Sequence, residues 1–260
     1  MKSVKCEKCG SHDLIMIDGV FACRDCRYKY SAEKTARMLP EGFDDLQLGR
    51  EVSFGRYNQS DPSLGEPEAI KWDVLAFDQQ KVLLISKYAL EAGAFHKERK
   101  KVIWEKSSIR KWLNKEFIEK AFAGEEREKI LPTYNINVAS EFFSSWDVNY
   151  TEDKIFLLSI DEAFWYMDDK ETRRKTVTPY AIKKGIFTSS DGYCMYWLRS
   201  NGSYTDQAAI VYNNGDVRTD GISVDSKKYG ICPAMWVKRR TNKSIKKQIK
   251  NAAVKDGANV

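Results

Sequence analysis

The sequence predicts an α+β protein, with a short cysteine-bearing β-hairpin set ahead of a larger mixed domain. Three observations predict it. Cys6, Cys9, Cys23 and Cys26 form two Cys-x2-Cys pairs on either side of a short apolar stretch. Between Ser107 and Phe122 the apolar residues recur at helical spacing, and a second helix start follows at Ser159. Most of the remaining chain reads as strands divided by turn residues.

The hairpin module comes first. Thirteen residues separate the two cysteine pairs, and Leu14–Ile17 and Val20–Ala22 read as strands around the turn pair Asp18-Gly19. Four thiolates in this layout suit one tetrahedral Zn²⁺, so residues 1–30 read as a zinc ribbon. Four sulfur ligands fill the coordination shell, so the site is structural and needs nothing from His12. A module this short buries little core, and metal binding must supply much of its folding free energy. A redox reading of the Cys-x2-Cys pairs does not explain why two of them flank a hairpin. Lys2, Lys5, Lys8, Arg24, Arg27 and Lys29 give the module a basic character, read either as a solvated face or as a nucleic-acid contact.

Residues 31–47 read as a linker, helical at first and broken at Pro40-Glu41-Gly42. The main domain spans residues 48–238. Val52–Tyr57 alternates like a strand and Asn58–Pro67 is turn-rich. Ile70–Leu75 and Lys81–Ser86 read as a strand pair joined by Asp78-Gln79-Gln80. Ser107 or Ser108 caps a helix whose apolar stripe is Ile109, Trp112, Leu113, Phe117, Ile118, Ala121 and Phe122. A short helix near Glu125–Ile130 stops at Pro132, and Asp153–Ser159 reads as a buried strand. Ser159 and Glu162 have capping-box spacing for the second helix. Strands follow at Tyr196–Ser200, Ala208–Tyr212, Val217–Thr219 and Gly230–Val237, with a turn at Asn213–Asp216.

Composition bounds the function. The chain has 260 residues, 42% hydrophobic and 12% aromatic, which is material for a packed core and excludes a disordered chain. No run of about 18 apolar residues suggests a membrane span. The start, MKSVKCEKCG, lacks the apolar core of a secretory signal. The expected compartment is the cytoplasm, where thiols stay reduced and a close cysteine pattern fits a metal site better than a disulfide framework. The net charge of +6 is uneven. Residues 238–260 carry eight basic groups and one acid, and residues 1–40 carry eight basic and five acidic, which leaves the middle at −4. The main domain is therefore mildly acidic and shows no nucleic-acid face by charge. The tail, residues 239–260, reads as a disordered basic segment able to touch nucleic acid or acidic surfaces.

An ordered series of segments carries a resemblance. It comprises Ile70–Leu75, Leu83–Ser86, Trp104–Asn114, Phe117–Phe122, Asp153–Ser159, Thr178–Ala181, Tyr196–Ser200 and Gly230–Val237. Together they resemble the bacterial family described as domain of unknown function 6273, over roughly residues 48–238. That family is similar to the C-type-lectin-like fold, used also by formylglycine-generating enzymes and by diversified receptor proteins. The resemblance implies two helices on a twisted antiparallel sheet, with C-terminal loops displaying any ligand site. Cys232 stands where the Gly-Ile-x-Pro-Ala segment of relatives has Arg, so any role of that Arg is in doubt here.

Candidate chemistry is sparse. Two histidines, His12 and His96, exclude a three-histidine iron site, and His96 lies in a charged stretch read as exposed. No phosphate-binding Gly-rich loop is present. Cys194 and Cys232 invite an alternative, an oxidase of the formylglycine-generating type. Both lie in apolar runs, where burial makes a thiol inert. Asp191, Asp206, Asp216, Asp220 and Asp225 are scattered, with no compact calcium signature. The expected binding surface for a protein or small ligand is Arg199–Val224, rich in Tyr, Ser, Asn, Asp and Gly. Its candidate ligand residues, with Trp197 just before it, are Trp197, Arg199, Tyr204, Asp206, Tyr212, Asn214, Asp216 and Arg218. Ordinary hairpins use the same residue types. The function expected is a non-enzymatic zinc-binding protein with a lectin-like binding domain; nucleic-acid association through the basic ends is a further alternative.

Overall fold

The computed structural model describes residues 5–11, 13–17, 20–31, 34, 51–60, 66–78, 80–137 and 148–239. Its mixed α+β architecture is mostly sheet. The largest sheet joins β1 (Leu14–Ile17), β2 (Val20–Cys23), β3 (Glu51–Tyr57), β4 (Glu68–Phe77), β5 (Lys81–Ser86), β8 (Ile130–Leu131) and β17 (Ala234–Lys238). The order is β2-β1-β4-β5-β17-β8, and β3 pairs with β4 as well. β5 is buried along most of its length and reads as a near-continuous apolar run, whereas β4 alternates at first, with Ile70 and Trp72 buried and Lys71 exposed, and is buried from Val74 onward. A second sheet carries β15 (Val217–Ser223), β14 (Gln207–Val211), β13 (Tyr196–Asn201), β16 (Gly230–Ile231) and β7 (Glu91–Ala92), in that order.

The N-terminal hairpin has the register expected of it, Leu14 opposite Cys23 and Ile17 opposite Val20. The Asp18-Gly19 turn, His12, nearly all of the linker and residues 240–260 lie outside the described residues. The hairpin does not stand apart as a separate module. Met16 of β1 pairs with Phe77 of β4, so the hairpin extends the main sheet.

The long helix departs from its expected regularity. It begins at Ser108, with the Ser107 side chain accepting from the Arg110 N–H, and it ends at Ala121. Leu113–Phe117 forms a wider π turn in between. There Asn114 bonds back to the Arg110 carbonyl at 3.1 Å and across to the Ile155 carbonyl at 2.8 Å. Its Oδ1 accepts the N–H groups of Lys154 and Ile155 at 3.0 and 3.1 Å. Asn114 thus clamps the segment that follows Asp153.

That segment is not the strand expected over 153–159. The paired strands are β9 (Thr133–Asn137) and β10 (Asn149–Asp153), a hairpin the sequence reading does not contain. Ile155–Leu158 then runs through the core, where Phe156 forms an isolated bridge with Ala234 and the Leu158 carbonyl accepts from the Arg199 N–H at 2.9 Å. An apolar run of that length signals burial, not strand pairing. Three buried indoles satisfy their N–H groups: Trp72 on the Phe54 carbonyl at 2.7 Å, Trp104 on Asp153 at 3.0 Å, and Trp197 on the Gly93 carbonyl at 2.8 Å. Among the described residues no helix is long and apolar enough to cross a membrane.

Candidate functional site

Two knuckles at the open end of the β1–β2 hairpin bring four thiols together. The Cys6 and Cys26 sulfurs are 3.6 Å apart, those of Cys9 and Cys23 3.5 Å apart, and all four lie within 4.8 Å of one another. A tetrahedral ion with metal–sulfur bonds of ~2.3 Å has sulfur–sulfur edges of about 3.8 Å, close to the 3.5 and 3.6 Å separations of these two pairs. The Gly10 and Cys6 amides close the first knuckle on the Cys6 and Ser11 carbonyls at 2.8 and 2.7 Å. Arg27, just past the second knuckle, takes a left-handed φ of 57°. The thiols titrate unequally. Burial pushes the Cys6 thiol up, but the Cys9 and Lys8 amides and the neighbouring thiols outweigh it and bring it down to about 6. Among the described residues this is the one cluster of three or more His, Cys, Asp or Glu side chains placed to hold a metal ion.

The basic residues of the hairpin have partners in the main domain. The Arg24 guanidinium lies 5.4 Å from the centre of the Trp236 ring and within the fields of Tyr166 and Glu162. Arg27 reaches Asp161 at 3.4 Å and lies over Trp165 at 5.6 Å, and Lys29 lies over the same ring at 5.2 Å. These three cations are directed at the Ile160–Tyr166 helix and at β17.

The C-terminal loops form an open groove of about 1100 Å³. Of the residues expected there, Tyr204, Asp206 and Arg218 line it. Tyr204 is the most open of them, 68% exposed. The groove also takes in Lys100, Lys101, Gln207 and Asp220, which the sequence reading does not include as ligand residues. The backbone explains their arrival: Val102 N–H donates to the Thr205 carbonyl at 3.0 Å, and Asn201 Nδ2 donates to the Val102 carbonyl at 2.8 Å. The basic run before Val102 is the signal for them, but its destination depends on these long-range bonds. Arg218 donates to Asp220 at 2.7 Å and to the Tyr212 hydroxyl at 2.6 Å. The Arg218 bond holds the Asp220 carboxyl below its usual range. Arg99 does the same for Asp206, at 2.8 Å.

The other expected residues lie elsewhere. Asn214 and Asp216 bond to each other at 2.8 Å in the turn at the far end of the β14–β15 hairpin, with Lys170 2.5 Å from Asp216. Trp197 and Arg199 are in the core. Arg199 is ion-paired with Glu162, donates to the Leu157 carbonyl at 2.9 Å and to Asn137 at 3.1 Å, and is not displayed to a ligand. His96 is half-buried, and its Nδ1 accepts from the Ser108 N–H at 3.2 Å, so it serves the start of the helix.

Cys194 and Cys232 are buried free thiols. Burial raises both: Cys194 well above the ordinary thiol range, and Cys232 to about 12. Each is protonated at neutral pH, a poor state for a nucleophile or a metal ligand. Lys175 pairs with Cys194 along the β11 (Lys175–Val177)–β12 (Tyr193–Cys194) ladder, and its ammonium is spent on Asp73 at 2.8 Å.

Comparison with curated proteins and with solved structures finds no match. A family model, described as "Domain of unknown function (DUF6273)", matches residues 79–239, which take in β5 through β17, the groove and both buried thiols. The chain belongs to that family.

Proposed function

We propose that this is a non-enzymatic binding protein, in which a zinc ion held by Cys6, Cys9, Cys23 and Cys26 supports the N-terminal hairpin and the loops of residues 199–224 bind a protein or small ligand. The sulfur–sulfur distances support the metal, and an all-thiolate set favours Zn²⁺ over harder ions. Such an ion would serve as a cross-link: four sulfurs leave no position for a reacting water. Six cysteines, none of them paired, suit a reducing compartment such as the cytoplasm.

The observation that carries the binding role is Tyr204, a large ring left 68% exposed in a groove where Asp206, Arg218 and Asp220 are already paired. An exposed aromatic flanked by adaptable polar groups is the chemistry of a recognition surface. The place of this groove on loops of the second sheet, together with the ordered motif series, supports a lectin-like arrangement. The buried, protonated state of Cys194 and Cys232 favours binding over oxidase chemistry. The turning of Arg24, Arg27 and Lys29 toward the domain leaves the hairpin less cation for nucleic acid.

The test is to probe the full chain and its Tyr204→Ala and Arg218→Ala variants on glycan and peptide arrays. The reading expects one class of ligand to bind the wild type and to lose at least tenfold in affinity on either substitution. Ligands bound equally by all three chains would overturn it.

A further inference from the structure

We infer that metal occupancy of the four-cysteine site controls docking of the N-terminal hairpin on the Ile160–Tyr166 helix, so that the Cys23–Cys26 knuckle is a metal-dependent clamp. The inference rests on the metal reading above and adds a consequence for the main domain.

The hairpin buries Ile15, Ile17 and Ala22 in the core it shares with the main domain. Its strands are four residues each, and β1 meets β4 through the single pair Met16 and Phe77. A two-stranded ribbon of this size is marginal on its own. The remaining grip comes from side chains on or beside the second knuckle. Arg24 lies between two of the cysteines, and Arg27 and Lys29 follow the second of them.

Their positions are set by the knuckle. The Arg24 N–H donates to the Asp13 carbonyl at 2.9 Å and the Cys23 N–H to the Tyr28 carbonyl at 2.9 Å, closing a tight loop around the sulfurs. The left-handed backbone at Arg27 suits a residue without a Cβ, and it is sustained here by that closed loop. A metal ion shared by four sulfurs this close would fasten the two knuckles to each other. With the metal gone, only these backbone bonds hold the loop, and the three cations lose their registration with Trp165, Trp236 and Asp161.

The far side of the contact is built to respond. The Ile160–Tyr166 helix carries Asp161, Glu162, Trp165 and Tyr166, and each faces a hairpin cation. Glu162 is shared between Arg24 on the hairpin side and Arg199 on the core side. Withdrawal of Arg24 therefore changes the charge balance around a buried carboxylate that fixes β13.

The experiment compares the zinc-loaded full chain, the chelated chain and the loaded Arg24→Met/Arg27→Ala variant, which keeps all four thiols. Zinc content, tryptophan emission and amide exchange over residues 160–166 are measured for each. Chelation should red-shift the emission and speed exchange of the helix by roughly tenfold, a local opening and not global unfolding. The loaded variant should hold one zinc per chain and yet exchange like the chelated wild type. Stoichiometric zinc with helix exchange unchanged on chelation would overturn the clamp and leave the metal site standing. A chain that takes up no zinc would overturn both.

Discussion

Arg199 and Glu162 face each other inside the protein with two parallel N–H···O bonds. Arg199 Nη2 donates to Oε1 at 2.8 Å and Nη1 donates to Oε2. Arg199 is only 3% exposed. The pair ties β13 to the start of the Ile160–Tyr166 helix, where the Ser159 N–H also donates to Glu162 at 3.1 Å and closes the capping box. Because the guanidinium is planar, this grip is one a lysine would not reproduce.

Glu162→Gln removes the charge and leaves Arg199 buried without a counter-ion. A loss of about 3–5 kcal/mol is expected, since breaking a buried pair costs far more than the pair contributes. Urea denaturation of the two chains checks it, with a midpoint shift at unchanged slope as the expected form.

The same pair predicts a pH dependence. Burial pushes the Glu162 carboxyl up, but Arg199, the Ser159 N–H and Arg24 outweigh it and leave it below the usual range. A carboxyl depressed on folding adds stability that is fully present above its unfolded value, about 4.3, and is lost as the pH falls through the folded value. Stability should hold steady down to about pH 5 and then fall, and in Glu162→Gln this acid-sensitive portion should be missing. Denaturant midpoints between pH 3 and 7 for both chains measure it.

Asp153 anchors the β9–β10 hairpin. It accepts from Arg110 at 2.6 Å, Trp104 at 3.0 Å, Asn135 at 3.0 Å and Thr151 at 2.8 Å. Asp153→Ala takes this acceptor from the buried Trp104, Asn135 and Thr151 side chains and should cost about 3 kcal/mol or more. Tyr204→Ala, on the open groove, should stay within about 0.5 kcal/mol of wild type. Thermal melts of the two variants separate a structural residue from a binding one.

Gly55 makes a backbone prediction. It has a φ of 71°, and a Cβ there would lie 2.5 Å from Cε1 of Phe122 and 2.6 Å from the Ala121 carbonyl. Gly55→Ala should destabilise by about 1–3 kcal/mol through left-handed strain and crowding against the helix end. The check is the same denaturation series.

Thiol chemistry gives a further outcome. In the folded chain at pH 8, Cys194 and Cys232 should resist alkylation, because burial keeps both protonated. Mass spectrometry of peptides after iodoacetamide treatment should find these two modified only after denaturation.

The parts legible in the sequence are those whose partners lie close along the chain. Two Cys-x2-Cys knuckles, Ser107 at a helix start and the Ser159–Glu162 capping box each act within a few residues, and each stands where its spacing places it. Glu162 also shows the limit. Its capping role is local and readable, but its pairing with Arg199 spans 37 positions and turns a candidate ligand residue into a core one. The groove is similar: Tyr204, Asp206 and Arg218 are readable from loop composition, whereas Lys100 and Lys101 come from a distant charged run fixed by Val102 and Asn201. The β9–β10 hairpin escapes notice because its outward positions are apolar, Tyr134, Ile136 and Tyr150, so the usual strand alternation of buried apolar and exposed polar residues is reversed.

Cys6, Cys9, Cys23 and Cys26 are placed to hold one metal ion, and we propose that it is zinc. Zinc-edge X-ray absorption of the full chain loaded with one equivalent tests it most directly. Four sulfur neighbours at ~2.3 Å are the expected first shell. A shell containing nitrogen or oxygen, or a chain that retains no stoichiometric zinc with Cys6, Cys9, Cys23 and Cys26 all reduced, would contradict it.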